Sequence, residues 1–264
     1  MYKIAFIGCG NMGGALVGAV AKTLNGNEIA VYDKDEQKTK TMQEKYGVVV
    51  ASAEDIAKNA RFVVLGVKPQ VMESALLPMQ SAFKENQDLT LITMAAGLSI
   101  SAIQTYAGGE YPTIRIMPNT PCMLGEGAVL YTQKGVAGTK IMQFLTMFSG
   151  AGKLFEMTEE QIDSAGALSG CGPAFFYLFI DALADGAVSC GIDKEQAIQL
   201  ATQTMLGSAK MLFAYGDPIT LKNNVCSPGG TTLAGVAALE KGEFSKVAAS
   251  AVTAAYQRTL ELKK

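Results

Sequence analysis

Short apolar runs alternate with longer amphipathic stretches through roughly the first 155 residues, a pattern typical of strands joined by helices into βαβ units. The predicted strands are Lys3–Ile7, Glu28–Tyr32, Phe62–Val67, Leu89–Thr93, Thr113–Met117, Ala128–Thr132 and Lys153–Phe155. The helices predicted between them are Met12–Leu24, Asp35–Tyr46, Ala53–Lys58, Val71–Phe83, Ile100–Tyr106 and Gly138–Phe148. This half of the chain is therefore predicted to be an α/β domain with a mostly parallel sheet.

Beyond Thr158 the β-branched runs disappear and helix-forming residues dominate. The predicted helix Phe175–Ser189 is apolar on almost all of its faces, whereas Glu195–Tyr215 has its apolar residues on one face. Two further helices are predicted over Thr232–Leu239 and Phe244–Leu262. We therefore expect two domains, residues 1–157 and an all-α domain of residues 158–264. A helix as apolar as Phe175–Ser189 requires cover from another chain, so the second domain is predicted to mediate oligomerisation.

A glycine-rich turn follows the first predicted strand and opens the first helix. Gly8 permits a tight turn, Gly10 lets the backbone approach a pyrophosphate, and Gly13 lets helix and strand pack closely. The N–H groups at the helix N-terminus then face the phosphates. The alternative is a glycine-rich turn without a ligand. The strand, turn, helix and second strand in register favour a Rossmann dinucleotide-binding domain, with a cofactor turn of Ile7, Gly8, Cys9, Gly10, Asn11, Met12 and Gly13.

Asp33 ends the second predicted strand, where an acidic residue binds the ribose 2′-hydroxyl of NAD. Lys34 and Lys38 follow at once and offer charge for the 2′-phosphate of NADP. The alternative for both lysines is an ordinary solvated start of a helix. The choice between NADPH and NADH therefore stays open.

Three more loops follow later strands, at the edge of a parallel sheet where ligands bind. Each loop alone is typical of a plain strand-to-helix connection, but three together favour a nicotinamide pocket. Their predicted cofactor-binding residues are Gly66, Val67, Lys68 and Pro69, then Ala95, Ala96 and Gly97, then Asn119 within Met117–Pro121.

A second glycine-rich turn lies in the helical half of the chain. Gly229 and Gly230 free the backbone, and Thr231 or Thr232 is a candidate cap for the next helix. These groups and the helix dipole form a candidate carboxylate receptor, whose alternative is a simple capped loop. A similar turn, Leu168–Pro173, is a candidate second wall.

Composition narrows the chemistry further. The chain has no histidine, which removes histidine-dependent nucleophile pairs and the commonest metal ligand, so we expect no metal. With 22 Lys and Arg against 24 Asp and Glu, neither nucleic acid nor an anionic membrane is an expected partner. Five cysteines without a C-x-x-C pair favour a reducing cytoplasm. We expect no signal sequence, because only four apolar residues lie between Lys3 and Gly8, and no membrane span, because the apolar run Ala174–Ile180 is too short to cross a bilayer.

The other chemically capable residues are interpreted as structural. Asp181 and Asp185 lie one helical turn apart, but without a surrounding motif they indicate a helix face rather than an acid–base pair. Arg115 lies inside a predicted strand and Arg258 lies near the C-terminus, where both indicate structural or surface charges. Cys226 has no histidine to activate it and is assigned to packing.

Reduction of an imine suits a site that has a nicotinamide cofactor and a carboxylate receptor but no histidine. Reducing a ketone needs a proton donor at oxygen, whereas a basic imine arrives already protonated from solvent. The protein then has only to hold the carbon near the hydride, so glycine, serine and threonine around a carboxylate suit a cyclic imino acid.

Six segments, read in order, resemble pyrroline-5-carboxylate reductase along essentially the whole chain. They are G-C-G-N-M-G, V-K-P-Q-V-M, A-A-G-L-S-I, M-P-N-T-P, L-S-G-C-G-P-A-F and L-K-N-N-V-C-S-P-G-G-T-T. The resemblance implies reduction of Δ1-pyrroline-5-carboxylate to L-proline with NADPH or NADH. It also implies a Rossmann domain followed by a helical domain that forms an intertwined dimer, often assembled into decamers.

By the same resemblance, Asn224 approaches the nicotinamide, while Ser227, Gly229, Gly230, Thr231 and Thr232 bind the substrate carboxylate. Thr232 also lies near the imine nitrogen and is the predicted catalytic residue. NADP-preferring members often have a small polar or basic residue where this chain has Asp33. Two alternatives remain: a β-hydroxyacid-type dehydrogenase, which would need a lysine that Phe175–Ser189 lacks, and a non-catalytic NAD(P)-sensing protein.

Overall fold

An eight-stranded sheet forms the core of the first part of the chain. In this computed structural model, which describes residues 1–262, the strand order is β3-β2-β1-β4-β5-β6-β7-β8. All neighbouring strands are parallel except β6 and β7, which are antiparallel. The strands are β1 (Tyr2–Ile7), β2 (Ile29–Tyr32), β3 (Val49–Val50), β4 (Ala60–Leu65), β5 (Thr90–Thr93), β6 (Thr113–Met117), β7 (Gly127–Lys134) and β8 (Gly152–Glu156). The predicted α/β class with a mostly parallel sheet is confirmed.

Helices connect the strands and then continue alone. Those of the sheet region are α1 (Asn11–Val20), α2 (Glu36–Tyr46), α3 (Ala53–Asn59), α4 (Met72–Leu76), α5 (Gln80–Glu85), α6 (Ile100–Ala107) and α7 (Gly138–Phe148). The later helices are α8 (Glu159–Ser169), α9 (Gly172–Ser189), α10 (Lys194–Tyr215), α11 (Pro218–Asn224), α12 (Thr231–Lys241) and α13 (Phe244–Leu262). The predicted all-α second half is likewise confirmed.

Successive residues of each strand supply the two faces of the sheet. Ile4 and Phe6 of β1 pack in a cluster with Leu16 of α1 and Phe144 of α7. Ala5 and Ile7 pack on the other side with residues of α3 to α6. Because β1, β4 and β5 are buried on both faces, they read as nearly continuous apolar runs rather than alternating ones.

Three local differences from the predicted elements have simple causes. Pro78 divides the predicted helix Val71–Phe83, so the chain makes a 3₁₀ turn over Leu77–Met79 between α4 and α5. The strand Val49–Val50 has only two residues, too few for a periodic signal. Helix α11 was not predicted, since its seven residues are largely polar and begin with Pro218.

The described chain divides into two compact units. One comprises Met1–Cys171 with the C-terminal stretch from Ala255, and the other comprises Gly172–Ala254. Helix α8, which follows the predicted division after residue 157, belongs to the first unit because it packs on β7.

The second unit has little core of its own. Within Gly172–Ala254 the buried residues are Gly172, Ala184 and Ala197. Several large apolar side chains of α9 are exposed, including Phe176 and Leu178 at 56% and 72%. Burial of so few side chains cannot stabilise four to five helices, so this surface requires a further covering partner.

By length and composition, the helical stretch Glu159–Ser189 contains an 18-residue window apolar enough to cross a membrane. The expectation that no segment is long enough rested on Ala174–Ile180 alone and is not supported by this longer window.

Candidate active site

The register of the sheet aligns the ends of β1, β4 and β5 along one edge, beside β6. Ile7 of β1 pairs with Leu65 of β4, Leu65 with Thr93 of β5, and Thr93 with Arg115 of β6. Neighbouring strands lie about 4.8 Å apart, so the loops that follow these residues are close neighbours. The structure thus brings the predicted cofactor segments beginning at Gly8, Gly66 and Ala95 to the same edge.

Three glycines close the turn after β1 by contact between their backbones. A Cβ atom on Gly13 would lie 2.2 Å from the carbonyl oxygen of Gly8, and one on Gly66 would lie 2.5 Å from the same atom. Gly8 has a φ of +102°, in the region that favours glycine. By contrast, a Cβ atom on Gly10 would meet nothing within 4 Å. The turn is closed toward the sheet and open at Gly10, where a pyrophosphate would approach.

Helix α1 begins at this opening. Its N-cap residue is Gly10, and no side chain caps the helix. The N–H groups of the first turn are therefore available to a phosphate, and the positive end of the helix dipole favours one.

The Asp33 carboxylate faces the glycine turn. Its Oδ2 atom accepts a hydrogen bond from the Cys9 N–H at 2.7 Å, and its Oδ1 atom accepts one from the Asp35 N–H at 2.9 Å. Lys38 Nζ lies 3.9 Å from Asp33 Oδ1 and 3.7 Å from Asp35 Oδ2. Asp33 therefore fixes the cofactor turn to the end of β2, and its contact with a ribose hydroxyl stays a prediction.

A cavity of about 450 Å³ opens beside Asp33. Lys34 and Lys40 line it, and neither lysine forms an ion pair with another of residues 1–262. Lys40 was not singled out from the sequence, because a lysine in a polar helix carries no distinctive signal. The remaining lining residues are Tyr32, Glu36, Thr39, Gln43, Val50 and Ala51.

Cys9 lies buried beneath the turn. Burial, with a further contribution from the Asp33 carboxylate, raises the pKa of the Cys9 thiol to about 12. The thiol stays protonated at neutral pH, and its Sγ atom lies 3.8 Å from the Tyr32 carbonyl oxygen as a weak donor. Cys9 therefore acts in packing rather than as a nucleophile.

The side chain of Asn119, a predicted cofactor-binding residue, forms hydrogen bonds with the backbone of the protein. Its Nδ2 atom donates to the Ser169 carbonyl oxygen at 3.0 Å, and its Oδ1 atom accepts from the Ala128 N–H at 2.9 Å. The residue is 8% exposed. Contact with the cofactor stays a prediction, whereas Asn119 links the loop after β6 to α8 and β7.

The predicted substrate residues form one turn of the second unit. Asn224 ends α11, and Gly230 N–H donates to the Ser227 carbonyl oxygen at 3.0 Å. Gly229 has a φ of +72°, and a Cβ atom on Gly230 would lie 2.4 Å from Ser227 Oγ. Gly229 therefore has a conformation that favours glycine, and Ser227 Oγ lies against Gly230 at the start of α12.

The capping role considered for Thr231 and Thr232 is wrong. Gly230 is the N-cap of α12, no side chain caps the helix, and both threonines lie inside its first turn. The uncapped N–H groups and the two hydroxyls provide hydrogen-bond donors of the kind that a carboxylate needs.

The acidic pair of α9 has a structural partner. Lys194 Nζ lies 2.6 Å from both Asp181 Oδ1 and Asp185 Oδ1. This ion pair between α9 and the start of α10 agrees with the interpretation as a helix face.

Known proteins with similar sequences show which family this chain belongs to. A profile described as "Pyrroline-5-carboxylate reductase dimerisation" matches residues 159–262, and one described as "NADP oxidoreductase coenzyme F420-dependent" matches residues 3–97. Pyrroline-5-carboxylate reductase of Arabidopsis thaliana is 38% identical over 99% of this chain and 95% of its own length. The Escherichia coli enzyme of that name is 35% identical over 99% and 98%. The chain belongs to the pyrroline-5-carboxylate reductase family.

Solved structures of pyrroline-5-carboxylate reductases have the same fold. The Coxiella burnetii structure has a TM-score of 0.91 and 32% identity, covering 100% of this chain and 99% of its own. The Plasmodium falciparum structure, described as having NADP bound, has a TM-score of 0.88 and 32% identity over 100% and 98%.

The residues of this pyrroline-5-carboxylate reductase family member fit a nicotinamide dinucleotide. The space at Gly10, the uncapped start of α1 and the cavity beside Asp33 together provide a place for the pyrophosphate and the adenosine ribose. Val67, Lys68 and Pro69 follow Gly66, with Pro69 opening a 3₁₀ turn, and stay predicted contacts. The same holds for Ala96 and Gly97, which follow β5.

Proposed function

We propose that this protein reduces Δ1-pyrroline-5-carboxylate to L-proline by hydride transfer from NADPH or NADH, the last step of proline biosynthesis. The observation that carries the proposal is identity of 33–38% to pyrroline-5-carboxylate reductases over nearly the whole chain. Two features support it further. The glycine turn after β1 suits a cofactor pyrophosphate, and the turn Ser227–Thr232 suits a substrate carboxylate.

The reaction needs positioning more than acid–base chemistry. The bound nicotinamide supplies the hydride to the imine carbon. The chain has no histidine, and the imine nitrogen carries its proton from solvent, so no imidazole acid is required. The protein holds the imine carbon close to the ring and excludes competing orientations.

The turn between α11 and α12 binds the substrate. The hydroxyls of Ser227 and Thr231 and the N–H groups after Gly230 hold the carboxylate. Thr232 donates its hydroxyl hydrogen to the same carboxylate or accepts one from the iminium nitrogen. Asn224 approaches the nicotinamide end. Holding the carboxylate fixes one face of the planar imine toward the hydride and so sets the stereochemistry of the product.

The protein acts as a homo-oligomer in this proposal. Its second unit, which overlaps the family dimerisation match, supplies the intersubunit surface. A homodimer is the basic assembly and a decamer the larger one. We further propose a cytoplasmic location, where reduced cysteines and a pool of NADPH are present.

The test measures loss of NADPH and NADH absorbance with purified protein and Δ1-pyrroline-5-carboxylate. Oxidation that depends on the cyclic imino acid, with proline as product, supports the proposal. A β-hydroxyacid-type dehydrogenase would instead act on 3-hydroxy acids, and α9, the first long helix after Ser169, has no lysine for that chemistry. A protein that only senses NAD(P) would bind the cofactor without turnover.

A further inference from the structure

A buried charged cluster lies at the same edge of the sheet, outside the residues predicted to bind cofactor or substrate. Arg115 of β6 has a side chain that is 3% exposed, and its Nη2 atom lies 2.5 Å from Asp163 Oδ1 of α8. Its Nη1 atom lies 3.7 Å from Glu159 Oε1, at the start of α8. A buried ion pair adds little net stability after both charges lose their water. Stability alone therefore does not explain why these charged residues are buried here.

The contacts of Glu159 supply that reason. Its Oε1 atom also accepts a hydrogen bond from the Ile100 N–H at 2.7 Å. Ile100 is the first residue of α6, and the loop before it contains Ala95, Ala96 and Gly97. One end of this loop is fixed because Thr93 of β5 pairs with Arg115, and the other end is fixed by Glu159. Arg115 is thus linked to both ends of the Ala95–Gly97 loop, which is predicted to contact the nicotinamide and which we call the predicted wall.

Helix α8 itself is held at its other end by the Asn119 side chain, which donates to the Ser169 carbonyl oxygen at 3.0 Å. Because side-chain contacts hold α8 near both ends, the helix supports Glu159 in one position. The predicted wall is therefore supported by β6 through two different elements.

We infer that Arg115, acting through Asp163 and Glu159, is a positioning residue that places the Ala95–Gly97 loop for hydride transfer. This inference rests on the proposed function for the identity of the reaction. The loop meets the nicotinamide ring, while the glycine turn and the Asp33 cavity hold the rest of the cofactor. Loss of the support therefore changes the transfer step more than it changes cofactor affinity.

The most direct test removes the Ile100 acceptor without touching the buried pair. Glu159→Ala removes it, and Glu159→Gln keeps an amide oxygen that accepts the same N–H. Glu160→Ala is the matched control, because Glu160 is the next carboxylate of the same helical turn and is exposed. We expect kcat to fall roughly tenfold in Glu159→Ala, since misplacement by about 1 Å costs up to 100-fold. Glu159→Gln recovers most of the activity, and Glu160→Ala retains all of it.

A second set of variants separates positioning from stability. Replacing a buried pair by apolar residues is often neutral for stability, so Arg115→Met combined with Asp163→Leu is expected to keep the melting temperature. Its kcat falls roughly 10- to 100-fold. Arg61→Met, which breaks the 2.6 Å pair with Asp88, is the control ion-pair variant. Wild-type kcat in the folded double variant and in Glu159→Ala would overturn the inference.

Fluorescence of bound NADPH reports on the cofactor without turnover. The Kd should stay within about threefold of the wild-type value, since the glycine turn is unchanged. The emission of the bound nicotinamide should change in Glu159→Ala and not in Glu160→Ala. If wild-type protein binds NADPH but does not reduce the imino acid, the proposed function fails while this comparison still decides the inference. Identical emission in the two variants would then overturn it.

Discussion

Asp33 combines two effects that act in opposite directions on NADPH. Its carboxylate anchors the cofactor turn through the Cys9 N–H, and its negative charge lies beside the cavity lined by Lys34 and Lys40. The two backbone donors and Lys38 lower the field of the carboxylate but do not cancel its charge.

Replacing Asp33 with serine should shift the cofactor preference toward NADPH. Two like charges about 8 Å apart repel by about 2 kcal/mol at an effective dielectric constant of 20. Because Lys38 offsets part of this charge, the ratio of kcat/KM for NADPH to that for NADH should rise about tenfold. NADH should bind more weakly, since Cys9 N–H loses its carboxylate partner. Steady-state kinetics with both cofactors test this, and an unchanged ratio would show that Asp33 lies away from the ribose.

Thr232→Ala should impair substrate handling and leave cofactor binding intact. A hydrogen bond to a charged group contributes roughly 1.5–3 kcal/mol, so kcat/KM for the imino acid should fall about 10- to 150-fold. The free energy of unfolding should change by less than about 0.5 kcal/mol, since Gly230 and not Thr232 caps α12.

Thr232→Ser keeps the hydroxyl and serves as the matched control, with an NADPH titration and a melting curve for each variant. Normal kcat/KM in folded Thr232→Ala would remove this residue from the site.

The sequence predicted the turn of Gly8 and Gly10 and the position of Asp33 beside it because a known local pattern fixes their geometry, while their contacts with the cofactor stay predictions. It did not find Asp163 or Glu159, since their roles depend on contacts with Arg115, about 45 residues away along the chain, and no local pattern encodes such a contact. The one sign of this pair in the sequence is that Arg115 is a charged residue inside an otherwise uncharged strand, β6.

A group of ion pairs ties β4 and α7 to the start of β5. Asp88 Oδ2 lies 2.6 Å from Arg61 Nε, and its Oδ1 lies 2.9 Å from Lys140 Nζ. Burial by itself would raise the pKa of Asp88, but hydrogen bonds from Arg61 and Lys140 outweigh it and hold the pKa below its usual value.

This group should contribute stability that depends on acid pH. Because the folded pKa is lowered, the contribution is complete above the unfolded pKa of about 3.9 and is lost as the pH falls through the folded value. Asp88→Asn should cost about 1 kcal/mol near neutral pH, and the cost should shrink as the pH falls through the lowered pKa of the folded state. Urea unfolding at several pH values measures this. Glu44→Gln, on the exposed side of α2, is the control, and equal pH slopes for both variants would contradict the assignment.

Element types were predicted where periodicity was long and strong, as in α2 and α10. Boundaries failed where one residue overrides the pattern, as Pro78 does between α4 and α5. The antiparallel pairing of β7 with β6 has no sequence signal of its own, because strand direction is decided by the connection over Pro118–Glu126.

The poorly buried second unit leads us to expect that the whole molecule is an obligate oligomer. Light scattering at about micromolar concentration should find at least a dimer, since so few of its residues are buried in one chain. Phe176→Asp should weaken association and lower the melting temperature together, because Phe176 is 56% exposed in the single chain and apolar surface drives the contact. A stable, active monomer would contradict this prediction.

The contacts among Gly8, Gly13 and Gly66 also bear on how this chain can vary. No side chain fits at any of the three, since the nearest atom in each case is backbone of the same turn or its neighbour. Gly10 has open space, so we expect alanine there to leave the fold intact and to block only the predicted phosphate site. In a saturation library sorted for folded protein, Gly10 would therefore accept many residues while the other three accept none. Sorting the same library for growth without proline would make all four positions invariant, so the two selections together distinguish glycines kept for the fold from the one kept for the ligand.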